Sequence, residues 1–178
     1  WKWDGIRIQL VSLNQTVKLY SRTGDDISKT FPEITSLKLK QNFSLDGELM
    51  AGEINRPGTF NDLQQRLNRK SPSKEIIKTV PTFIIAYDIL FLKSSDIRQK
   101  KITERRKILS QFLNKENLPF IKFSEEVKFK DFNELEQKRL KCREELNYEG
   151  LMLKLKNSIY QPGRPKGPWY KFKRDPFN

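Results

Sequence analysis

The stretch Thr82-Phe-Ile-Ile-Ala-Tyr-Asp-Ile-Leu-Phe-Leu92 is almost entirely apolar, interrupted by one charge at Asp88. A run this short and this apolar predicts a central strand buried on both faces. Ile6–Leu13 alternates for part of its length and predicts another strand, with a turn at Asn14-Gln15 and a hairpin partner over Val17–Tyr20. Phe43–Met50 alternates again. Phe120–Phe123, Leu151–Lys156 and Trp169–Lys173 read as further strands, the last two joined by the loop Gln161–Pro168.

Helical spacing appears between these runs. Phe60, Leu63 and Leu67 fall on one face of a helix expected to run to about Arg69, with Thr59 as its N-cap. Ser71-Pro72 predicts the start of a second short helix with proline at its first position. Thr103 is the expected cap of a helix reaching about Leu113. Asp131 and Glu134 form a D-x-x-E capping box opening a helix towards Leu146. Strands and helices mix without a steady βα alternation and without an internal repeat, so the expected class is α+β with antiparallel sheets flanked by helices.

The 178 residues suit a single domain, residues 1–178, and the chain opens at Trp1 rather than methionine, as a part of a longer protein would. No apolar run reaches the 18 or so residues of a membrane span. With no histidine, the chain holds neither a Ser-His-Asp or Cys-His catalytic set nor a histidine-ligated metal, and the single Cys142 permits no internal disulfide. Its chemistry must come from Lys, Arg, Asp, Glu and Tyr. The net charge is +13, from 35 Lys and Arg against 22 Asp and Glu. It is uneven: residues 1–90 carry +3 (13 against 10) and residues 91–178 carry +10 (22 against 12). That balance favours a polyanionic partner, nucleic acid first among them.

Four short pieces carry candidate chemistry: Lys2-Trp-Asp-Gly-Ile-Arg7, Leu45-Asp-Gly-Glu-Leu49, Glu149-Gly-Leu-Met-Leu-Lys154 and Trp169-Tyr-Lys-Phe-Lys173. In a strand, residues two apart share a face, so Lys171 and Lys173 point one way, and Tyr170 and Phe172 are expected to point the other way, into the core. Two adjacent lysines repel each other and are tolerated on a wet surface or at an anion site such as one for phosphate. Singly, each piece has an ordinary reading: a solvated strand face for the lysines, a turn carboxylate for Glu149, an exposed one for Glu48. Tyr87 and Met152 would be core packing, and Arg22 a turn residue. Arg105 and Arg106 read as surface charge or DNA-backbone contacts.

In this order the pieces resemble the adenylation domain of ATP-dependent DNA ligases, members of the covalent nucleotidyltransferase superfamily. Ser21-Arg-Thr-Gly24 and Ala86-Tyr-Asp-Ile-Leu90 look like two further family motifs, and Gln161–Lys173 is especially like bacterial members. The resemblance covers essentially the whole chain. It implies that Lys2 attacks the α-phosphate of ATP, expels pyrophosphate and holds AMP. Arg7 would contact the nucleotide sugar or phosphate. Arg22 would hold the 5′-phosphate of a nick. Glu48 would sit by the ribose or a metal, and Tyr87 would stack on adenine with Met152 packed against its other face. Glu149 would position Mg2+, and Lys154, Lys171 and Lys173 would contact phosphates. The implied partner is nicked double-stranded DNA, and the protein would be a cytoplasmic, nucleoid-associated monomer. In the family a glutamate usually precedes the position of Trp1 and reads the adenine amino group. An OB-fold domain is expected after Asn178.

A free lysine has a pKa near 10.4, so only about one in 2,500 is neutral at pH 7, and removing the proton costs about 4–5 kcal/mol. Neighbouring cations reduce that cost, which gives Lys171, Lys173 and magnesium a role beside the nucleophile. The alternatives are an RNA ligase or capping guanylyltransferase of the same superfamily, and a noncatalytic basic module that grips DNA by charge.

Overall fold

The computed structural model of the protein describes residues 1–67, 69–145, 148–163 and 167–173. In chain order its elements are β1 (Lys2–Trp3), β2 (Ile6–Leu13), β3 (Thr16–Ser21), a 3-10 turn (Ser28–Thr30), α1 (Pro32–Thr35), β4 (Phe43–Glu53), β5 (Arg56–Pro57), α2 (Phe60–Leu67), α3 (Lys74–Thr79), β6 (Thr82–Leu92), β7 (Ser95–Asp96), α4 (Ile102–Glu116), β8 (Ile121–Phe123), α5 (Phe132–Glu145), β9 (Tyr148–Lys154) and β10 (Trp169–Lys173). The larger sheet runs β3-β2-β4-β6-β7, with β5 added on β4 and β8 on β6. The smaller sheet runs β1-β9-β10. All pairings are antiparallel except β6 with β8. The expected α+β class with antiparallel sheets is the one found.

Strand alternation decides which face becomes core and which becomes site. Ile8 and Leu10 of β2, Leu45 and Leu49 of β4, and Ile84 and Ala86 of β6 join the main apolar core, which α4 closes with Leu109 and Phe112. The intervening positions turn to the other face. There Met50, Phe83 and Ile85 form a second apolar cluster with Trp3. Arg7 and Glu48 are direct cross-strand partners, as are Gln9 and Asp46. The hairpin between β2 and β3 turns at Asn14 and Gln15, both left-handed (φ 49° and 63°), which matches the twist of the flanking strands.

Gly5 explains the glycine of the first motif. Lys2 belongs to the smaller sheet and Arg7 to the larger, so the chain must cross between sheets at Asp4-Gly5. A Cβ on Gly5 would overlap the Leu49 carbonyl and lie 2.6 Å from Met50 Sδ. The missing side chain lets the backbone pass hard against β4.

Several expected boundaries move. The second short helix starts at Lys74, not at Pro72, because Ser73 supplies the cap and accepts from Ile76 N at 3.3 Å. Helix α4 starts at Ile102, not after Thr103; the first-turn amide of Ile102 donates to Ser158 O at 2.8 Å, so a tertiary partner does the work of a side-chain cap. Thr59 does cap α2, in a reciprocal pair with Asp62. In α5, Glu134 N donates to Asp131 Oδ1 at 2.8 Å as the capping box predicts. Strand β9 ends at Lys154, two residues early, and Leu155 N donates to Pro168 O to close the loop. Leu146 and residues 164–166 of that loop lie outside the described residues.

Two side-chain expectations fail. Tyr170 is 60% exposed. Strand β10 is the edge of a small sheet, and the face opposite its lysines is covered only in part, by Phe132 against Phe172 (6.0 Å between centroids) and Arg139 over the same ring. Arg105 is not a surface charge. It is fully buried and donates through Nε and Nη2 to both oxygens of the buried Asp88, each at 2.8 Å. Among the described residues no helix is long and apolar enough to cross a membrane.

Candidate active site

A cavity of about 830 Å3 opens between the two sheets. Arg7, Glu48 and Tyr87 reach it from the larger sheet, and Arg22 from the turn after β3. Lys2, Met152, Lys154 and Lys171 reach it from the smaller sheet. Eight of the ten residues singled out in the sequence therefore line one space. The other two, Glu149 and Lys173, are joined to it through Lys2.

Lys2 is aimed by the tryptophans on either side of it. Trp1 stacks on Tyr148 (4.5 Å between centroids, 6° between planes), and Trp3 meets the same ring edge-on at 4.4 Å. Tyr148 is the first residue of β9, so this clamp fixes β1 on β9, with Lys2 opposite Gly150. Lys2 Nζ donates to Glu149 Oε2, and Lys173 Nζ donates to the same oxygen at 2.9 Å. Simple alternation would send Glu149 away from that face, because Gly150, Lys171 and Lys173 follow the opposite phase in the β9–β10 register. Gly150 changes the phase. Its φ of +140° lies in a region that side-chain-bearing residues rarely adopt, and a Cβ there would overlap the Phe172 carbonyl and stand 2.8 Å from Lys173 Cα. The glycine after Glu149 is thus what turns the carboxylate onto the two ammoniums.

The charges respond to this packing. Burial works against the Glu149 carboxylate, but the hydrogen bonds from Lys173 and Lys2 outweigh it and hold the group at about 2. The Lys171 ammonium is pushed down by desolvation and by the nearby cations Lys2, Lys173 and Arg22. Lys2, Lys171, Lys173 and Arg22 therefore gather around one carboxylate, an arrangement that suits a polyphosphate. Arg22, which is exposed, also borders a second cavity of about 540 Å3 beside Ser21–Gly24 and so bridges the two spaces.

On the opposite wall Arg7 Nη2 donates to the fully buried Asp46 at 2.6 Å, and Tyr160 Oη donates to the same oxygen at 3.2 Å. Burial opposes the Arg7 charge, while Tyr87 and Asp46 favour it and raise its proton affinity overall. Glu48 is pushed up to about 7, chiefly by burial, with Glu149 and Asp4 adding to the rise and Lys2 and Arg7 opposing it. The folded chain then binds more protons than the unfolded chain between about 4.5 and 7, so this group costs stability progressively as pH rises through that window. Glu48→Gln is expected to match the parent below pH 4.5 and to exceed it above pH 7, by on the order of 1–3 kcal/mol. Thermal unfolding of both proteins from pH 4 to 8 reads this directly, and parallel curves would contradict it.

Lys154 is not brought to the Lys2–Glu149–Lys173 group. Its Nζ lies 4.6 Å from the Tyr87 ring centroid and 4.2 Å from that of Trp169. Three further parts of the site carried no role in the sequence reading. Trp169 was visible only as the first residue of the last motif. Asp46 sits in the second Asp-Gly pair, and its partner Tyr160 is 114 residues away, a closure no local pattern reveals. Arg106, expected at the surface, also lines the cavity. It is half-buried, donates to Ser124 O at 2.6 Å and lies over Phe123. Among the described residues no group of three or more His, Cys, Asp or Glu side chains could hold a metal.

Comparison with known proteins agrees with this arrangement. Residues 1–173 match the family described as ATP dependent DNA ligase domain. The DNA ligase of Methanothrix thermoacetophila is 31% identical over 180 residues, covering 97% of this chain and 31% of that protein. The DNA ligase of Methanococcus aeolicus is 33% identical over 181 residues, with the same two coverages. The chain thus spans about a third of the length of these curated relatives. Among solved structures, the ligase domain from M. tuberculosis LigD superposes with a TM-score of 0.75 at 25% identity, over 96% of this chain and 52% of that one. Motif order, two-sheet frame and family match converge, and the chain belongs to the ATP-dependent DNA ligase domain family.

Proposed function

We propose that this chain is the adenylation core of an enzyme that seals nicks in double-stranded DNA, with Lys2 as the nucleophile. The observation that carries the reading is the shared hold of Glu149 on Lys2 and Lys173 at the edge of a nucleotide-sized cavity, with Lys171 alongside. In the first step, neutral Lys2 Nζ bonds to the α-phosphorus of ATP and the bond to the β-phosphate oxygen breaks, releasing pyrophosphate. Lys171 and Lys173 neutralise charge growing on the phosphoryl oxygens. Arg7, held by Asp46 and Tyr160, binds the sugar or phosphate. Tyr87 stacks on the adenine, and Met152 packs on its other face. AMP then passes from Lys2 to the 5′-phosphate of the nick, held by Arg22, and the 3′-hydroxyl displaces it.

Glu48 and Glu149 fit a magnesium site of the kind that uses one or two carboxylates and completes its shell with water and substrate phosphates. Both offer hard oxygens, and the proton affinity of Glu48, raised by burial and by Glu149, gives it much to gain from a cation. Bound there, the ion would supply Lewis-acid stabilisation of phosphoryl oxygens.

DNA rather than RNA is the polynucleotide, ATP rather than GTP the nucleotide, and the chain acts as a monomer. Labelling of the purified protein is expected from ATP carrying a radioactive α-phosphate and not from the matching GTP. The labelled group should chase onto a nicked DNA duplex and not onto a nicked RNA duplex. Labelling from GTP, or a chase onto RNA alone, would favour the capping or RNA-ligase alternatives.

A further inference from the structure

The turn that carries Arg22 is tied by its own side chains. Strand β3 ends at Ser21, and the chain then folds back beside it. Ser21 N donates to Asp25 O at 2.9 Å, Gly24 N to Ser21 O at 3.0 Å, and Ile27 N to Leu19 O at 2.9 Å. Inside this closed turn one carboxylate oxygen, Asp25 Oδ2, accepts from the Ser21 hydroxyl at 3.1 Å and from the Thr23 hydroxyl. The Ser21 oxygen in turn accepts from the amides of Thr23 and Asp25, both at 3.3 Å. The hydrogen bonds from Thr23 and Ser21 hold the Asp25 carboxyl below its usual value, so it is a charged acceptor near neutral pH.

Arg22 lies between the two hydroxyl residues and stays out of this network. A carboxylate three residues from an arginine is an obvious ion-pair partner, yet Asp25 is engaged by the neighbours of Arg22 instead. Among the described residues Arg22 makes no hydrogen bond or ion pair. Its side chain borders both cavities, and its charge is felt at Lys171.

We infer that Asp25 is a positioning residue for Arg22: by holding Ser21 and Thr23 it fixes the turn that aims the guanidinium at both cavities, and it serves the step in which AMP passes to the nick. This rests on the reading of Arg22 as the holder of the 5′-phosphate. In that step an oxygen of the 5′-phosphate bonds to the phosphorus of AMP, the phosphorus–nitrogen bond to Lys2 breaks, and the departing amine takes up a proton from solvent. The attacking oxygen must stand in line with the breaking bond. A guanidinium on a loose turn attracts the phosphate without fixing its place. Charging of Lys2 by ATP needs no such hold, so the effect of Asp25 is confined to the later step, and Asp25 itself touches no reacting atom.

The test compares the purified, AMP-charged parent with Asp25→Ala, Asp25→Asn, Arg22→Ala and the double variant Arg22→Ala, Asp25→Ala, on nicked DNA duplexes ending in a 5′-phosphate or a 5′-hydroxyl. Asp25 is exposed, so charging of Lys2 and the melting temperature are expected to stay near the parent's in both Asp25 variants. Asp25→Ala is expected to slow AMP transfer to the 5′-phosphate about tenfold and to shrink the binding preference for 5′-phosphate over 5′-hydroxyl by a similar factor. Asp25→Asn keeps an oxygen that can accept both hydroxyls and should retain most of the preference. The double variant should be no worse than Arg22→Ala alone, because Asp25 acts through that side chain. Unchanged transfer and preference in Asp25→Ala overturn the anchor role. Equal losses in Asp25→Asn and Asp25→Ala overturn it too, because they mark an effect of charge, and so do losses that add in the double variant, because they mark a role independent of Arg22. Should Asp25→Ala fail to fold, Ser21→Ala combined with Thr23→Val removes the same hydroxyls and is expected to give the same result. If Arg22→Ala leaves the preference intact, the reading of Arg22 fails and the anchor with it. If Arg22→Ala abolishes the preference and Asp25→Ala does not, only the anchor falls.

Discussion

Lys2→Ala is expected to lose AMP transfer to the protein by a factor on the order of 10³–10⁶, the range set by removal of a nucleophile. Lys2→Arg should be equally inactive, although it keeps the positive charge beside Glu149. A guanidinium stays protonated at any working pH and has no lone pair to offer phosphorus. The pair separates the two roles Lys2 could play. Were Lys2 only a cation paired with Glu149 and drawn to phosphate, arginine would substitute for it and most of the transfer would survive. Thermal unfolding should change little in either variant, because the Trp1–Tyr148–Trp3 clamp, and not the ammonium, fixes β1 on β9. Measuring label transfer from ATP alongside the melting temperature settles the matter.

The largest effect on stability is expected from Asp88→Ala. Asp88 and Arg105 are both fully inaccessible to solvent, and the carboxylate takes two hydrogen bonds from the guanidinium. Removing the acid strands a buried positive charge, which costs about 3–5 kcal/mol. For a chain of this size that is a fall of roughly 6–20 °C in melting temperature. The double variant Asp88→Ala, Arg105→Leu removes both charges and is expected to recover a large part of the loss, since a buried ion pair is worth little more than apolar packing of similar volume. A single-variant loss below about 1 kcal/mol would show that the pair is solvated or replaceable.

The sequence was most legible where a local rule had no competitor. Thr82–Leu92 and Trp169–Lys173 are strands at the expected residues, because a nearly all-apolar run and an alternation of aromatics with lysines leave few other options. Legibility fell where a distant partner overrode the local signal. Helix α4 begins before its expected cap because Ser158 O, 56 residues away, takes the first amide. Arg105 looked like surface charge because nothing near it in sequence announces Asp88, which itself looked like a flaw in a buried strand. Tyr170 was expected inside because alternation tells which residues share a face but not whether that face is covered. Most of the lysines, carboxylates and arginines of the candidate site stood out through motif order, Asp46 and Arg106 excepted. What sequence could not supply was their pairing. The phase change at Gly150 turns Glu149 onto Lys2, and only the backbone angle reveals it. The seat of Lys154 between Tyr87 and Trp169 depends on the spacing of two sheets, which no short motif encodes.

One measurement bears most directly on the central claim that the second residue of this chain is the group that takes the nucleotide. The purified protein is incubated with ATP and Mg2+, its intact mass is measured, and the adduct is located by peptide sequencing. The account predicts one AMP per chain, attached through an acid-labile phosphorus–nitrogen bond to Lys2 and absent from Lys154, Lys171 and Lys173. An unmodified chain, or an AMP found on another lysine, would contradict it.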